Sequence, residues 1–154
     1  MMYLLALVLL FSQAPAQTAK PAEKKAEQKA AAKAEVVYVP AKEVEASMKK
    51  PGTRLVDTPK YSVMAFNRNT AGEAESHEAD SDVFYIVDGS ATFVTGGTIE
   101  GAKNTGPGEV RGTGIKGGKT WKLSKGDTIT IPKGTPHWYS GVNGTVTYFI
   151  VKVH

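Results

Sequence analysis

Residues 126–138 read GDTITIPKGTPHW, and the reading of this stretch decides the fold. Asp127, Ile129 and Ile131 alternate with Thr128 and Thr130, the period-two pattern of a strand with one buried face. Pro132 has no N–H to give a ladder and ends the pairing, Gly134 lets the chain turn, and Pro136 stiffens the entry into the next strand. His137 is therefore held on a short, restricted segment, which is how an imidazole is pre-oriented for use. Of the 3 histidines in the chain, one is the final residue, His154, so His77 and His137 are the two that a fold can employ.

Working outward, the same signature recurs from Val36 onward. Short apolar segments, VVYV (36–39), YSVMAF (61–66), DVFYIV (82–87), ATFVTGG (91–97), TWKL (120–123), DTITIP (127–132) and TVTYFIVKV (145–153), are rich in β-branched and aromatic residues. Asp88-Gly89, Lys125-Gly126 and Asn143-Gly144 between them supply the positive φ of tight hairpins. The pattern predicts an all-β domain. One short N-terminal helix is expected at AKEVEASMKKPG (41–52), where Val44 and Met48 stand four apart and Pro51-Gly52 ends the run. Residues 95–118, TGGTIEGAKNTGPGEVRGTGIKGG, read as a long Gly-rich loop; its Glu109 and Arg111 read as solvated loop charges, the alternative being a lid pair that grips a polar substrate.

The N-terminal part has a different composition. Met1 to Phe11 is an apolar run followed by Ala14-Pro15-Ala16, a small-x-small cleavage pattern, so residues 1–16 read as a secretory signal peptide. The run is about half of the ~20 apolar residues needed to cross a bilayer, so no membrane span is expected after cleavage. Residues 17–35, almost only Ala, Lys, Glu and Gln, have nothing to bury and read as a disordered linker. Residues 36–154 are the folded domain. Much of the net charge of +4 sits in the linker, leaving no basic stripe for nucleic acid. With no cysteine in the chain, neither disulfide nor thiolate chemistry is available. The expected location is exported, periplasmic or extracellular.

The second histidine lies in AESHEADSDVFYIVDG (74–89). Glu75 and His77 are two apart in an extended segment and project to one face, and Asp82 opens the strand DVFYIV. Two carboxylates and an imidazole this close, joined by His137 from a later strand, make a ligand set for a divalent metal.

These two stretches resemble the motifs of the cupin superfamily, G-x5-H-x-H-x3-4-E-x6-G and G-x5-P-x-G-x2-H-x3-N. The second is matched by Gly126, Pro132, Gly134 and His137, with Gly141 in place of Asn; the first is matched by His77, Asp82 and Gly89, with Glu75 in place of the first histidine, Asp82 in place of Glu, and Thr70 in place of the opening Gly. The resemblance spans roughly residues 62–153. It implies a jelly-roll barrel, the double-stranded β-helix, with a metal site of Glu75, His77, Asp82 and His137 in its mouth. Either carboxylate is a direct ligand or orients an imidazole. The resemblance further implies a divalent ion (Fe, Mn, Ni or Zn), a small-molecule ligand or substrate, and a homodimer. It includes oxygenases, isomerases and lyases, so no catalytic residue is assigned. A non-catalytic small-molecule or sugar binding module of the same fold is the alternative.

Overall fold

The computed structural model describes residues 35–154; the expected signal peptide and nearly all of the expected linker lie outside them. The described chain forms one helix, α1 (Ala41–Ser47), and eleven strands: β1 (Thr53–Asp57), β2 (Tyr61–Arg68), β3 (Ala74–His77), β4 (Ser81–Thr95), β5 (Thr98–Glu100), β6 (Lys103–Gly106), β7 (Glu109–Gly112), β8 (Gly114–Lys116), β9 (Lys119–Ser124), β10 (Thr128–Ile131) and β11 (His137–Val153). No helix among the described residues is long and apolar enough to cross a membrane.

Two long strands organise the rest. β4 turns Asp82, Phe84 and Ile86 inward and, past Gly89, Ala91 and Phe93. The inward set changes from even to odd numbers because the chain bends at Gly89. Its φ is 81°, and an added Cβ would collide with the Thr145 carbonyl. β11 makes the matching switch, from His137 and Tyr139 to Val146, Tyr148 and Ile150, across an irregular stretch between Asn143 and Thr147. The two strands pair antiparallel from His137↔Thr95 to Val153↔Ser81, so they bend together as one ribbon and both halves face one core.

The other strands add to this ribbon. β2 and then β1 extend the C-terminal half of β11, while β10 and β9 pair with the two halves of β4. At its N-terminal end β11 pairs with β3, which continues to β7 and β6; β5 and β8 form a separate two-stranded piece. Every pairing is antiparallel, and the result is the all-β jelly roll with one short helix that the motifs imply. Rings fill the interior: Phe93 and Tyr139 lie 4.6 Å apart between centroids, Tyr139 and Tyr148 4.9 Å, and Phe84 and Phe93 5.3 Å. Truncating one such ring to Ala costs about 3–5 kcal/mol.

Three expectations need correction. Val36–Val39 is not a strand: Val36, Val37 and Tyr38 are exposed and no strand pairs with them among the described residues. Residues 95–118 are not an open loop but carry β5, β6, β7 and β8, with β7 laddered onto β3. Of the three turn dipeptides, Lys125-Gly126 alone makes a tight connection, between β9 and β10; Asp88-Gly89 and Asn143-Gly144 lie within β4 and β11 at the bend.

Candidate metal centre

The turn after β10 builds the site from the backbone up. Thr135 N–H donates to the Pro132 carbonyl at 3.1 Å across a turn in which Gly134 has φ 75°. The Gly134 N–H then donates to the carbonyl of His77 at 2.6 Å, and Gly96 N–H to that of Pro136 at 2.8 Å. The turn is thus fastened by main chain to the end of β3, and the next residue but two, His137, pairs with both Glu75 and Thr95. Both imidazoles are almost fully buried.

Each ring is held by its Nδ1. That of His77 lies 2.7 Å from Glu109 Oε2, and that of His137 lies 3.0 Å from the Thr135 carbonyl. A carboxylate and a carbonyl only accept, so both Nδ1 atoms carry the proton and donate. Neither Nε2 has a hydrogen-bond partner. Those two atoms instead converge on carboxylates. His137 Nε2 is 3.5 Å from Glu75 Oε1 and 3.5 Å from Asp82 Oδ2, and His77 Nε2 is 3.7 Å from Asp82 Oδ2.

The carboxylates are held by cations from facing strands. Glu75 lies opposite Arg111 and His77 opposite Glu109 in the β3–β7 ladder, so each pair shares a face. Arg111 Nη1 approaches Glu75 Oε2 to 2.5 Å. Asp82 lies opposite Lys152 in the β4–β11 ladder, and Lys152 Nζ donates to its two oxygens at 2.9 and 3.1 Å. Burial works against charge on Glu75, but His137, Arg111 and His77 outweigh it and hold the carboxyl down at about 2. Asp82 is likewise lowered, burial being overcome by His137 and Lys152. His137 is raised to about 9, because the two carboxylates beside it more than offset its desolvation.

This donor set fits a divalent ion. Metal–nitrogen and metal–oxygen bonds of ~2.0–2.2 Å place neighbouring ligand atoms roughly 3–4 Å apart, and donor atoms of Glu75, His77 and His137 all lie within 4.8 Å of one another. Two buried Nε2 atoms without partners, each on a ring locked by its other nitrogen, suit an imidazole pair that ligates a metal. Asp82 sits against both rings but has both oxygens engaged by Lys152. The structure therefore gathers all four residues singled out in the sequence. It also brings in three more. Glu109 and Arg111 read from the sequence as solvated loop charges or a substrate-gripping lid pair, not as partners of the ligands, and Lys152 reads as one more residue of a strand. Its signal lay in TVTYFIVKV, where Val146, Tyr148 and Ile150 face inward and Lys152 continues the same parity.

The centre opens on a cavity of about 270 Å³, lined among others by Phe66, Arg68, Trp138, Tyr139 and Tyr148. Trp138 Nε1–H donates to the Gly72 carbonyl at 2.7 Å, fixing the indole at the wall. Burial pushes the Tyr139 and Tyr148 hydroxyls up, so both keep their protons.

No family model matches the chain, and no curated protein matches its sequence. Solved structures do match its fold. A protein from Bacillus halodurans, 13% identical, superposes with a TM-score of 0.54 over 75% of this chain and 80% of its own. HppE in its Fe(II) form, 15% identical, gives 0.50 over 66% of this chain and 49% of its own. A cupin-2 domain protein from Shewanella frigidimarina, 14% identical, gives 0.45 over 67% and 79%. At such identities the likeness concerns architecture alone. With a bent antiparallel roll and the stretch Gly126–Pro132–Gly134–His137 delivering its imidazole into that roll, the protein has a cupin-type jelly-roll fold.

Proposed function

We propose that the protein is an exported cupin that holds a divalent metal ion on His77, His137 and Glu75, with Asp82 alongside, and binds a small organic molecule in the adjoining cavity. The observation that carries the reading is the pair of buried Nε2 atoms, both without hydrogen-bond partners and both within 3.7 Å of Asp82, with Glu75 beside that of His137. Mixed imidazole and carboxylate donors suit Fe(II), Mn(II), Ni(II) or Zn(II). When bound, such an ion supplies Lewis acidity or a place for dioxygen.

The chain's own residues do the preparation. Glu109 and the Thr135 carbonyl set the tautomer of each ring, Arg111 and Lys152 offset the carboxylate charge, and Phe84 and Phe93 pack against the ring of His137. Oxygenase, isomerase and lyase chemistry all lie within what the fold accommodates.

A second reading, a binding module without turnover, is favoured by one feature. A general base works best with a pKa near the working pH, whereas Glu75 is held at about 2 and Asp82 is also lowered. Elemental analysis of protein purified without chelator tests the metal. About one ion per chain is expected, with His77→Ala and His137→Ala each losing most of it while keeping the wild-type circular dichroism spectrum. Full occupancy in either variant sinks the assignment of that ligand. Oxygen uptake or product formation by the loaded protein then separates turnover from binding. Export is checked by the N-terminus of the mature chain, expected at Gln17.

A further inference from the structure

Four basic side chains line the cavity: Arg54, Arg68, Arg111 and Lys152. Three of them have carboxylate partners. Arg54 pairs with Asp57 at 2.8 Å, Arg111 with Glu75 at 2.5 Å, and Lys152 with Asp82 at 2.9 Å. Arg68 has none among the described residues. Its Nε–H donates to the Tyr148 hydroxyl at 3.1 Å, and its guanidinium carbon lies 5.4 Å from the centroid of the Tyr139 ring. These contacts hold the guanidinium in place and leave its two terminal nitrogens without an acceptor.

Two hydroxyls in the same wall also have protons to give. Tyr139, 5% exposed, has an OH without any partner. Tyr148 accepts from Arg68 and so turns its own proton elsewhere. A half-buried planar fork with two free donors, beside a buried hydroxyl with none of its bonding satisfied, is complementary to a planar anion that accepts on two oxygens. The acidic residues of the wall, Glu73 and Glu75, are both faced by Arg111, at 4.0 and 2.5 Å. Tyr139 stands two residues along the same face of β11 from His137, about 7 Å of strand. Ring walls from Phe66 and Trp138 and a volume near the low end of ligand cavities, ~300–1000 Å³, favour a small body with apolar surface.

We infer that Arg68, with the hydroxyls of Tyr139 and Tyr148, is the grip for a carboxylate, and that the molecule taken by this cavity is a small organic carboxylic acid lying with its other end toward His77 and His137. The inference rests on the proposed metal-binding reading for that second end only; the grip itself is independent of the ion.

The experiment is calorimetric titration of metal-free and metal-loaded protein with benzoate, 4-hydroxybenzoate, glutarate and pyruvate, each against its neutral amide, with sulfate as a non-planar anion. At least one carboxylate should bind metal-free protein roughly tenfold or more tightly than its amide. Arg68→Gln and Tyr139→Phe should each erase most of that preference while leaving metal content at the wild-type level. Gly72→Ala offers a second route. A methyl there would stand 2.7 Å from Arg68 Nη1 and push the guanidinium aside without altering any charge, so it too should weaken the carboxylate and spare the amide. Equal binding of every acid and its amide, a preference for sulfate over all the carboxylates, or an Arg68→Gln protein that keeps the preference would overturn the grip. Absence of metal from wild-type protein, with the Arg68-dependent preference intact, would remove the metal reading and leave this one standing.

Discussion

Asp82 shows what a single side chain commits the molecule to. It is 2% exposed and ionised, and its charge is met by Lys152 from the facing strand. Removing one partner of a buried pair strands the other charge, at a cost of about 3–5 kcal/mol when the pair is fully enclosed. Lys152 retains some contact with water, so Lys152→Met is expected to lower the stability of metal-free protein by about 2–3 kcal/mol in urea melts. Adding Asp82→Asn should restore most of it; if the double variant is no better than the single one, the pair is not the cause. His137 and Glu75 set a pH window by the same logic. A folded-state pKa raised from 6.5 to about 9 gives stability that is present below 6.5 and lost as pH climbs through 9. Glu75, lowered from 4.5 to about 2, contributes above 4.5 and loses that contribution as pH falls through 2. Metal-free protein should therefore lose melting temperature between pH 6.5 and 9, whereas loaded protein should not, because the ion has already displaced the proton. Parallel thermal melts with and without chelator check this, and coincident pH profiles would contradict it.

Among the elements, the strands read correctly from the sequence are those with a period of two long enough to see. β10 announces itself in Thr128–Ile131, and β4 and β11 through DVFYIV and TVTYFIVKV. What stayed hidden is that these last two are parts of longer strands whose middle bends, because a Gly dipeptide marks positive φ and does not say whether the chain reverses there or continues. Val36–Val39 has the composition of a strand, but propensity without a neighbouring edge makes no ladder. The Gly-rich stretch failed in the opposite direction. β5 to β8 are three or four residues each in a Gly-interrupted run, without the repeated Thr-Ile alternation that marks β10, and β7 is recognisable only through its partner β3. That partnership is what gives Glu109 its role. Glu109→Ala should leave the His77 ring free to rotate and weaken metal affinity by about 10–100-fold, measured by competition with a chromogenic chelator. Unchanged affinity would mean that β7 contributes nothing to the centre.

For the molecule as a whole, fold and candidate ligands were legible because the second motif fixes Gly126, Pro132, Gly134 and His137 in register. The neutralising cations were not: Arg111 looks like any surface charge, and the inward parity of Lys152 does not name Asp82 as its partner. Reading the folded unit as starting at residue 36, with residues 17–35 a linker, predicts that deleting the linker shifts the melting temperature by less than about 2 °C. A larger fall in differential scanning calorimetry would place them inside the cooperative unit. One bond described above reaches further than its size. Because the Gly134 amide is tied to the His77 carbonyl, the backbones that carry the two imidazoles are gauged against each other by main chain. Such a scaffold lets side chains of the lining be exchanged for new guests without re-spacing the two strands that present the histidines.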